Sequence, residues 1–401
     1  MWIRLRFDIS QRDLVSGMSS CCFPLPRESL QRDAEYHWSR SGRSVVCLSV
    51  RSGFDLLLSA LNLPPKSEVL LTALTVPDMP CIVRQHGFMP VPVDLVGNSC
   101  TPSIDSLQRA TTSHTRVLVV AHLFGTRVDM EPIISVARRR NLFVIEDCAQ
   151  AYHGSEYQGH PESDAALFSF GPIKTSTALG GGVIRLRSSD LAARIRKTQS
   201  SYPLRNRRSY FRRLVKYSLF KLLCSRPLFT LIARGCRILR VDLDRVVSTA
   251  ARNFPGENLL EQLRRQPSAP LLKMLLRRWY RDDGPRLSQR MDRGQQLAER
   301  LPREILLDQQ RSTFNNYWVF PVLVDNQREV VELMRSRGFD ATAQSRLAIV
   351  APPADRPELE AVNSISTLSR IVFLPCYPGL PPRVVRHMAR ILSEATSPST
   401  R

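Results

Sequence analysis

Leu142-Phe-Val-Ile-Glu-Asp-Cys148 is four large apolar residues running into two acids. The apolar positions do not alternate with polar ones, so a strand here has no solvent face. It reads as buried on both sides, as in a parallel sheet covered by helices. Six more runs share this texture: Val45–Val50, Val69–Leu74, Met89–Leu95, Val117–Leu123, Ala165–Phe170 and Gly182–Leu186. Helical stretches separate them. Ser52–Leu61 follows the first run, and Asp190–Thr198 follows the last. Asp129–Arg140 opens on an acid and closes on three arginines, the order a helix dipole favours. Strand alternating with helix predicts an α/β layer with a mostly parallel sheet.

In such sheets ligands bind beyond the carboxyl ends of the strands. Glu146 and Asp147 stand at such an end and point to opposite faces, so they do not share a role. Asp147 is placed to meet a ligand cation, or to cap the following turn with Gln150 in it. A second strand leaves into Ser169-Phe-Gly-Pro-Ile-Lys174, followed by Gly180-Gly-Gly182. Only six of the 57 basic residues are lysines, so a lysine in this setting points to a need for a primary amine. An amine can form a Schiff base, which a guanidinium cannot. A third piece, Ser49-Val-Arg-Ser-Gly53, joins a strand to a helix with small residues that let backbone N–H groups hold a phosphate; Ser169 can add a hydroxyl. Lysine, carboxylate and phosphate cup together are what pyridoxal 5'-phosphate requires.

The rest of the chain falls into three parts. Residues 1–44 read as an N-terminal extension ahead of a cofactor-binding domain at 45–200. Residues 201–255 read as a basic amphipathic insertion. Residues 256–401 read as an interdomain helix and a smaller C-terminal α/β domain, with strands at Tyr317–Val324 and Ile371–Leu374 and helices near Arg328–Arg337 and Pro382–Ala395. The formal net charge is +21 over 401 residues, and positions 205–240 hold eleven basic residues and no acid. Arg205, Arg208, Arg212 and Lys216 recur at helical spacing, with Phe211, Leu214 and Leu222 assigned to the opposite side. That suits a helix lying on an anionic membrane, a solvated face or a subunit contact. The nine cysteines are scattered without a CxxC pair, which argues against a disulfide framework or structural zinc site and fits a reducing, cytoplasmic setting. No metal is expected, and charge alone does not argue for nucleic acid.

The stretch from Ser52 to Lys197 resembles the DegT/DnrJ/StrS family of sugar aminotransferases, within the fold-type-I pyridoxal-phosphate superfamily. The matching motifs are Ala121-His-Leu-Phe-Gly125, Val144-Ile-Glu-Asp-Cys-Ala-Gln-Ala151, Phe168-Ser-Phe-Gly-Pro-Ile-Lys174 and Gly180-Gly-Gly182. Phe373-Leu-Pro-Cys-Tyr-Pro-Gly-Leu380 resembles the family's closing motif, and Arg264–Arg278 its interdomain helix. The resemblance implies a seven-stranded sheet domain with a small C-terminal domain, working as a homodimer. It implies Lys174 as the Schiff-base lysine, Asp147 as partner of the pyridinium nitrogen and Gln150 as partner of the phenolic oxygen. Ser52, Gly53 and Ser169 would bind the phosphate. The implied reaction moves an amino group, with glutamate as donor, to a nucleotide-linked keto sugar.

Three positions depart from the family pattern. Val76 stands where an aromatic often stacks on the cofactor ring, and Arg264 where an asparagine often reaches the partner's phosphate. Residues 201–255 are longer and more basic than expected. These departures motivate a second reading, a non-catalytic membrane-associated scaffold or regulator that kept the fold; Lys174, Asp147 and Gln150 together oppose it. His122 is expected to be a hydrogen-bonded structural histidine and Cys148 a packing residue. His153 lies nearer the site.

Overall fold

The computed structural model describes residues 1–4, 6–154, 156–239, 258–281, 283–311, 314–344 and 346–396. The N-terminal half contains β1 (Ser44–Cys47), β2 (Glu68–Thr72), β3 (Leu74–Thr75), β4 (Met89–Val93), β5 (Thr115–Ala121), β6 (Phe143–Asp147), β7 (Ala165–Ser169) and β8 (Gly182–Leu186). Further on come β9 (Phe320–Leu323), β10 (Ala348–Ile349) and β11 (Ile371–Leu374). All seven apolar runs became strands of one sheet in the order β1-β8-β7-β6-β5-β2-β4. Only β8 runs against its neighbours; the pairs from β4 through β7 are parallel.

Nine helices precede the first undescribed long segment: α1 (Gln11–Cys22), α2 (Arg27–Trp38), α3 (Val50–Leu61), α4 (Asp78–Gln85), α5 (Ile104–Ala110), α6 (Glu131–Arg139), α7 (Ser189–Ser200), α8 (Arg207–Leu223) and α9 (Arg226–Ile238). After it come α10 (Leu259–Leu263), α11 (Ala269–Trp279), α12 (Gly284–Ala298), α13 (Gln327–Ser336), α14 (Val362–Arg370) and α15 (Pro382–Thr396).

Strand parity sorts the core. Val69, Leu71, Val117, Val119 and Ile145 pack with Phe54 and Leu57 of α3 on one face. Leu70, Leu118, Val120 and Val144 pack with Ile133 of α6 on the other. That same face continues at β1, β7 and β8, where α1, α2, α8 and α11 cover Val46, Phe168 and Val183. Neighbouring side chains on a strand point oppositely, so a sheet covered on both faces needs an apolar residue at every position. That is why the runs do not alternate.

The smaller unit pairs β9 antiparallel with β11 and packs them against α12, α13 and α15 through Phe320, Val322, Met334, Val372 and Met388. The first 44 residues are built into both units. Ser10 and Asp13 cap α1 reciprocally, and the buried Asp13 carboxylate also accepts from Arg277 and Arg278. Trp38 of α2 lies 4.8 Å from Phe168 and 5.7 Å from Trp279, ring centre to ring centre. Trp2 bridges residues 338–340 of the smaller unit.

The single apolar side expected of Phe211, Leu214 and Leu222 on α8 does not form. Instead Leu214 is buried with Tyr210 and Tyr217 against α1 and α11, while Phe211 and Leu222 are exposed. The helix has two apolar faces, and sequence periodicity alone does not choose between them. Arg205 precedes the helix, and Arg240 with residues 241–255 of the basic segment lies outside the described residues.

Candidate active site

At the carboxyl end of β6, Ala149 N–H donates to Asp147 Oδ1 at 3.0 Å, and His122 N–H donates to the Asp147 carbonyl at 3.1 Å. Glu146, its neighbour, faces away. Its carboxylate accepts from His122 Nε2 at 2.8 Å, from the Tyr157 hydroxyl and from His160 N–H at 2.6 Å. Val128 N–H donates to His122 Nδ1 at 3.0 Å, so in the neutral ring the proton is on Nε2, directed at Glu146. Burial alone would raise the Glu146 pKa. Hydrogen bonds from His122 and Tyr157 outweigh it and hold the group at about 2. Asp147 goes the other way: burial raises it, against the Ala149 N–H, Lys174 and His122. His122 is thus the hydrogen-bonded structural residue expected.

Lys174 occupies the loop between β7 and β8. Phe170 O accepts from Ala178 and Gly180 N–H and closes the loop. Ser176 and Leu179 take left-handed backbone angles, φ +51° and +60°, which cost energy in side-chain-bearing residues. The surroundings hold that geometry. Ser176 N–H donates to Asp8 at 2.7 Å and its hydroxyl to Asp283 at 2.7 Å. Arg290 donates to Thr175 at 3.1 Å, the Tyr210 hydroxyl to Ala178 O at 2.7 Å, and Arg213 to Leu179 O at 3.0 Å. The Lys174 ammonium lies 4.0 Å from the centre of the Trp318 ring, a cation–π distance. Burial, opposed by Asp147 and assisted by Arg51, brings its pKa down to about 8. An amine in this range is partly neutral near physiological pH, as a nucleophile or proton carrier must be.

The third piece converges here. Ser49 caps α3 by accepting from Ser52 N–H at 3.1 Å, and the two hydroxyls meet at 3.0 Å. Gly53 N–H is spent on the helix, and its missing Cβ leaves room for Ile184. Gly182 is indispensable to the approach: a Cβ there would lie 2.5 Å from Val50 N. Ser169 ends β7, and its hydroxyl has no hydrogen bond among the described residues. A Cβ on Gly171 would be 3.7 Å from Ser169 Oγ and 3.9 Å from Lys174 Cγ, so both side chains border the same space. Gln150 Oε1 accepts from Phe124 N–H at 2.7 Å, which directs its NH2 elsewhere as a donor.

Sequence reading missed several residues. Trp318 and Asn316 come from the start of the smaller unit. Trp318 Nε1 donates to Ile173 O at 2.8 Å, and Asn316 Nδ2 donates to Tyr152 O at 3.0 Å. The Asn315-Asn316 turn signal was available, but nothing local tied it to a loop over 140 residues away. Arg51 lay inside a quoted motif without a role; it pairs with Asp78 and lowers Lys174. Arg213 is a third cation near the site: burial lowers its pKa and Arg51 adds to the effect. Arg264 is bidentate to the buried Asp55 at 3.1–3.2 Å, with His86 on the same carboxylate at 2.9 Å. Val76 follows β3, whose Thr75 pairs with Ala348 of β10. Cys148 is buried in the core as expected, and His153 packs edge-on to Phe314.

The donor set fits pyridoxal phosphate: an amine of lowered pKa, a strand-end carboxylate, an open hydroxyl, an amide donor and arginines beside a helix N-terminus.

Residues 34–220 match the DegT/DnrJ/EryC1/StrS aminotransferase family, the family the motifs resemble. GDP-perosamine synthase of Caulobacter vibrioides is 34% identical over 171 residues, 42% of this chain and 46% of that one. A dTDP-3-amino-3,4,6-trideoxy-alpha-D-glucose transaminase of Micromonospora megalomicea is 34% identical over 166 residues, 40% of this chain and 44% of that one. The matched stretch thus spans less than half the length of these relatives. The fold match is wider. The sugar aminotransferase CalS13 of Micromonospora echinospora superposes with a TM-score of 0.69 at 19% identity, over 98% of this chain and all of that one. The fold-type-I architecture is borne out.

Proposed function

We infer, from DegT/DnrJ/EryC1/StrS family sequence over residues 34–220 set in a whole sugar-aminotransferase fold, that this chain is a pyridoxal-phosphate-dependent transaminase. It moves an amino group from an amino acid, glutamate, to the keto group of a nucleotide-linked sugar, for amino-sugar synthesis. The observation that carries this reading is a buried lysine, Lys174 in the loop after β7, near enough to the carboxylate of Asp147 at the end of the adjacent β6 for each to bear on the other's charge.

Lys174 would hold the cofactor, Asp147 its ring nitrogen and Gln150 its phenolic oxygen. Ser52, Ser169 and the start of α3 would hold the phosphate, with Arg51 beside them; Gly53 contributes by letting α3 pack on β8. When bound, pyridoxal phosphate supplies an electron sink for the substrate carbon. Asp147, ionised beside a ring cation, would keep that sink charged. Lys174 Nζ would take the proton from the substrate carbon and return it, and its lowered pKa suits both steps. Trp318 and the loop contacts keep water from the amine. The same family pattern supports a homodimer working in the cytoplasm.

The test is a half-reaction. The purified protein supplied with pyridoxal phosphate and glutamate is expected to release one equivalent of 2-oxoglutarate per active site, and Lys174→Ala none. A protein with no affinity for the cofactor would sink the reading. The amine-loaded enzyme, screened against nucleotide-linked keto sugars, then identifies the acceptor.

A further inference from the structure

We propose that the outward face of α8 is a docking surface for an anionic lipid bilayer. The inward face is already satisfied: Tyr210, Leu214 and Tyr217 are buried, and Tyr210 and Arg213 are bonded to the loop that carries Lys174. The fold therefore does not need a second apolar face, yet there is one. Phe211, Val215, Leu219 and Leu222 recur every three to four residues, which puts them on one side of the helix. Phe211 is 37% exposed, and Leu219 and Leu222 are each 58% exposed. With Leu223 they form a ridge roughly 18 Å long at 1.5 Å per residue. A shallow groove of about 520 Å³ runs along it, bordered by Arg212 and Lys216.

Charge selects the occupant. Arg208, Arg212 and Lys216 are all exposed and form the neighbouring row at four-residue spacing. No acid occurs between residues 205 and 240. A second copy of the chain docking through this face would set these cations against their own counterparts, which is unfavourable. Nucleic acid would use the cations and leave the apolar ridge in water. An anionic bilayer takes both: headgroups meet the cations, and the acyl boundary meets the ridge. No described helix is long and apolar enough to cross a membrane, so the helix would lie in the interface. The following helix, α9, adds exposed Leu231 and Arg234 and again has no acid. Because α8 is bonded directly to the Lys174 loop, docking would fix the active site in orientation to the surface.

The experiment is vesicle sedimentation of the full chain, with phosphatidylcholine vesicles and with vesicles containing about one third phosphatidylglycerol. Binding is expected to the second only and to fade with added salt. Arg212→Gln/Lys216→Gln and Leu219→Gln/Leu222→Gln are each expected to cut the bound fraction on the order of tenfold. Both variants should keep wild-type circular dichroism and glutamate half-reaction. Failure to bind anionic vesicles at low salt overturns the proposal, as does binding that both variants retain. Loss of self-association in the leucine variant, without a change in vesicle binding, would assign the face to a second copy. Capture by polyglutamate but not by vesicles would assign it to an acidic protein.

Discussion

Lys174 rests over the face of Trp318 at 4.0 Å while the Trp318 indole N–H donates to the carbonyl of Ile173, one residue earlier, at 2.8 Å. One side chain from the smaller unit therefore both shields the amine and fixes the backbone that presents it.

Removing that shield should move a titration. Burial is the main cause of the lowered Lys174 pKa, so Trp318→Ala lets it climb from about 8 toward 10.5. The neutral fraction at pH 7 falls about tenfold for each unit. The alkaline-rising limb of the transamination rate is expected to shift to higher pH by about a unit, and Trp318→Phe should leave it near wild type. A limb that stays put in the alanine variant would show that something other than the indole excludes water.

Glu146 should write an acid limb into stability. Its pKa is depressed from 4.5 to about 2 in the folded chain, so its contribution is complete above pH 4.5 and lost as pH falls through 2. The shift corresponds to roughly 3 kcal/mol. Glu146→Gln is expected to be less stable at pH 7 by about 1–3 kcal/mol and flatter between pH 4.5 and 2. Urea unfolding at a series of pH values measures both effects.

Gly182→Ala tests the contact between β8 and the start of α3. A methyl would lie 2.5 Å from Val50 N, against backbone that cannot rotate away. The end of α3 has to shift. Overpacking of this kind costs about 1–3 kcal/mol. Affinity for pyridoxal phosphate, measured by equilibrium dialysis, is expected to fall at least several-fold. Gly379→Ala, with open space around it and no left-handed backbone angle, serves as the control without a clash.

The two faces of α8 should separate by stability. Leu214→Ala opens a hole in the core and is expected to cost about 2–5 kcal/mol. Leu219→Ala, on the exposed ridge, should stay within about 0.5 kcal/mol. Chemical denaturation distinguishes them, and a larger loss for Leu219→Ala than for Leu214→Ala would mean that α8 is seated the other way round.

The large sheet was readable because strands covered on both faces are continuous apolar runs, here four to seven residues long and so shorter than a buried helix. Lys174 was readable because lysine is rare in this chain. Trp318, Asn316 and Arg213 were not, since each reaches the site from a separate element and carries no local mark of its destination. β3 and β10 are two residues long, below what periodicity can register. α8 failed for a different reason: a helix with two apolar faces gives the same pattern whichever one is buried. Gly53 looked like part of the phosphate cup, but its freedom from a side chain is used for packing against Ile184.

The first dozen residues make contacts of long sequence separation. Asp8 accepts from Ser176 in the loop that carries Lys174 and its carbonyl accepts from Arg278, while Trp2 and Arg4 find partners at residues 338–340, a separation of up to 338 positions. The partners of this segment are thus spread from the middle of the sequence to its last quarter. Closing such distant contacts is slow and entropically costly. The loop that carries Lys174 therefore depends on contacts of this costly kind: its left-handed residue Ser176 is held by Asp8 from one end of the sequence and Asp283 from far beyond the sheet.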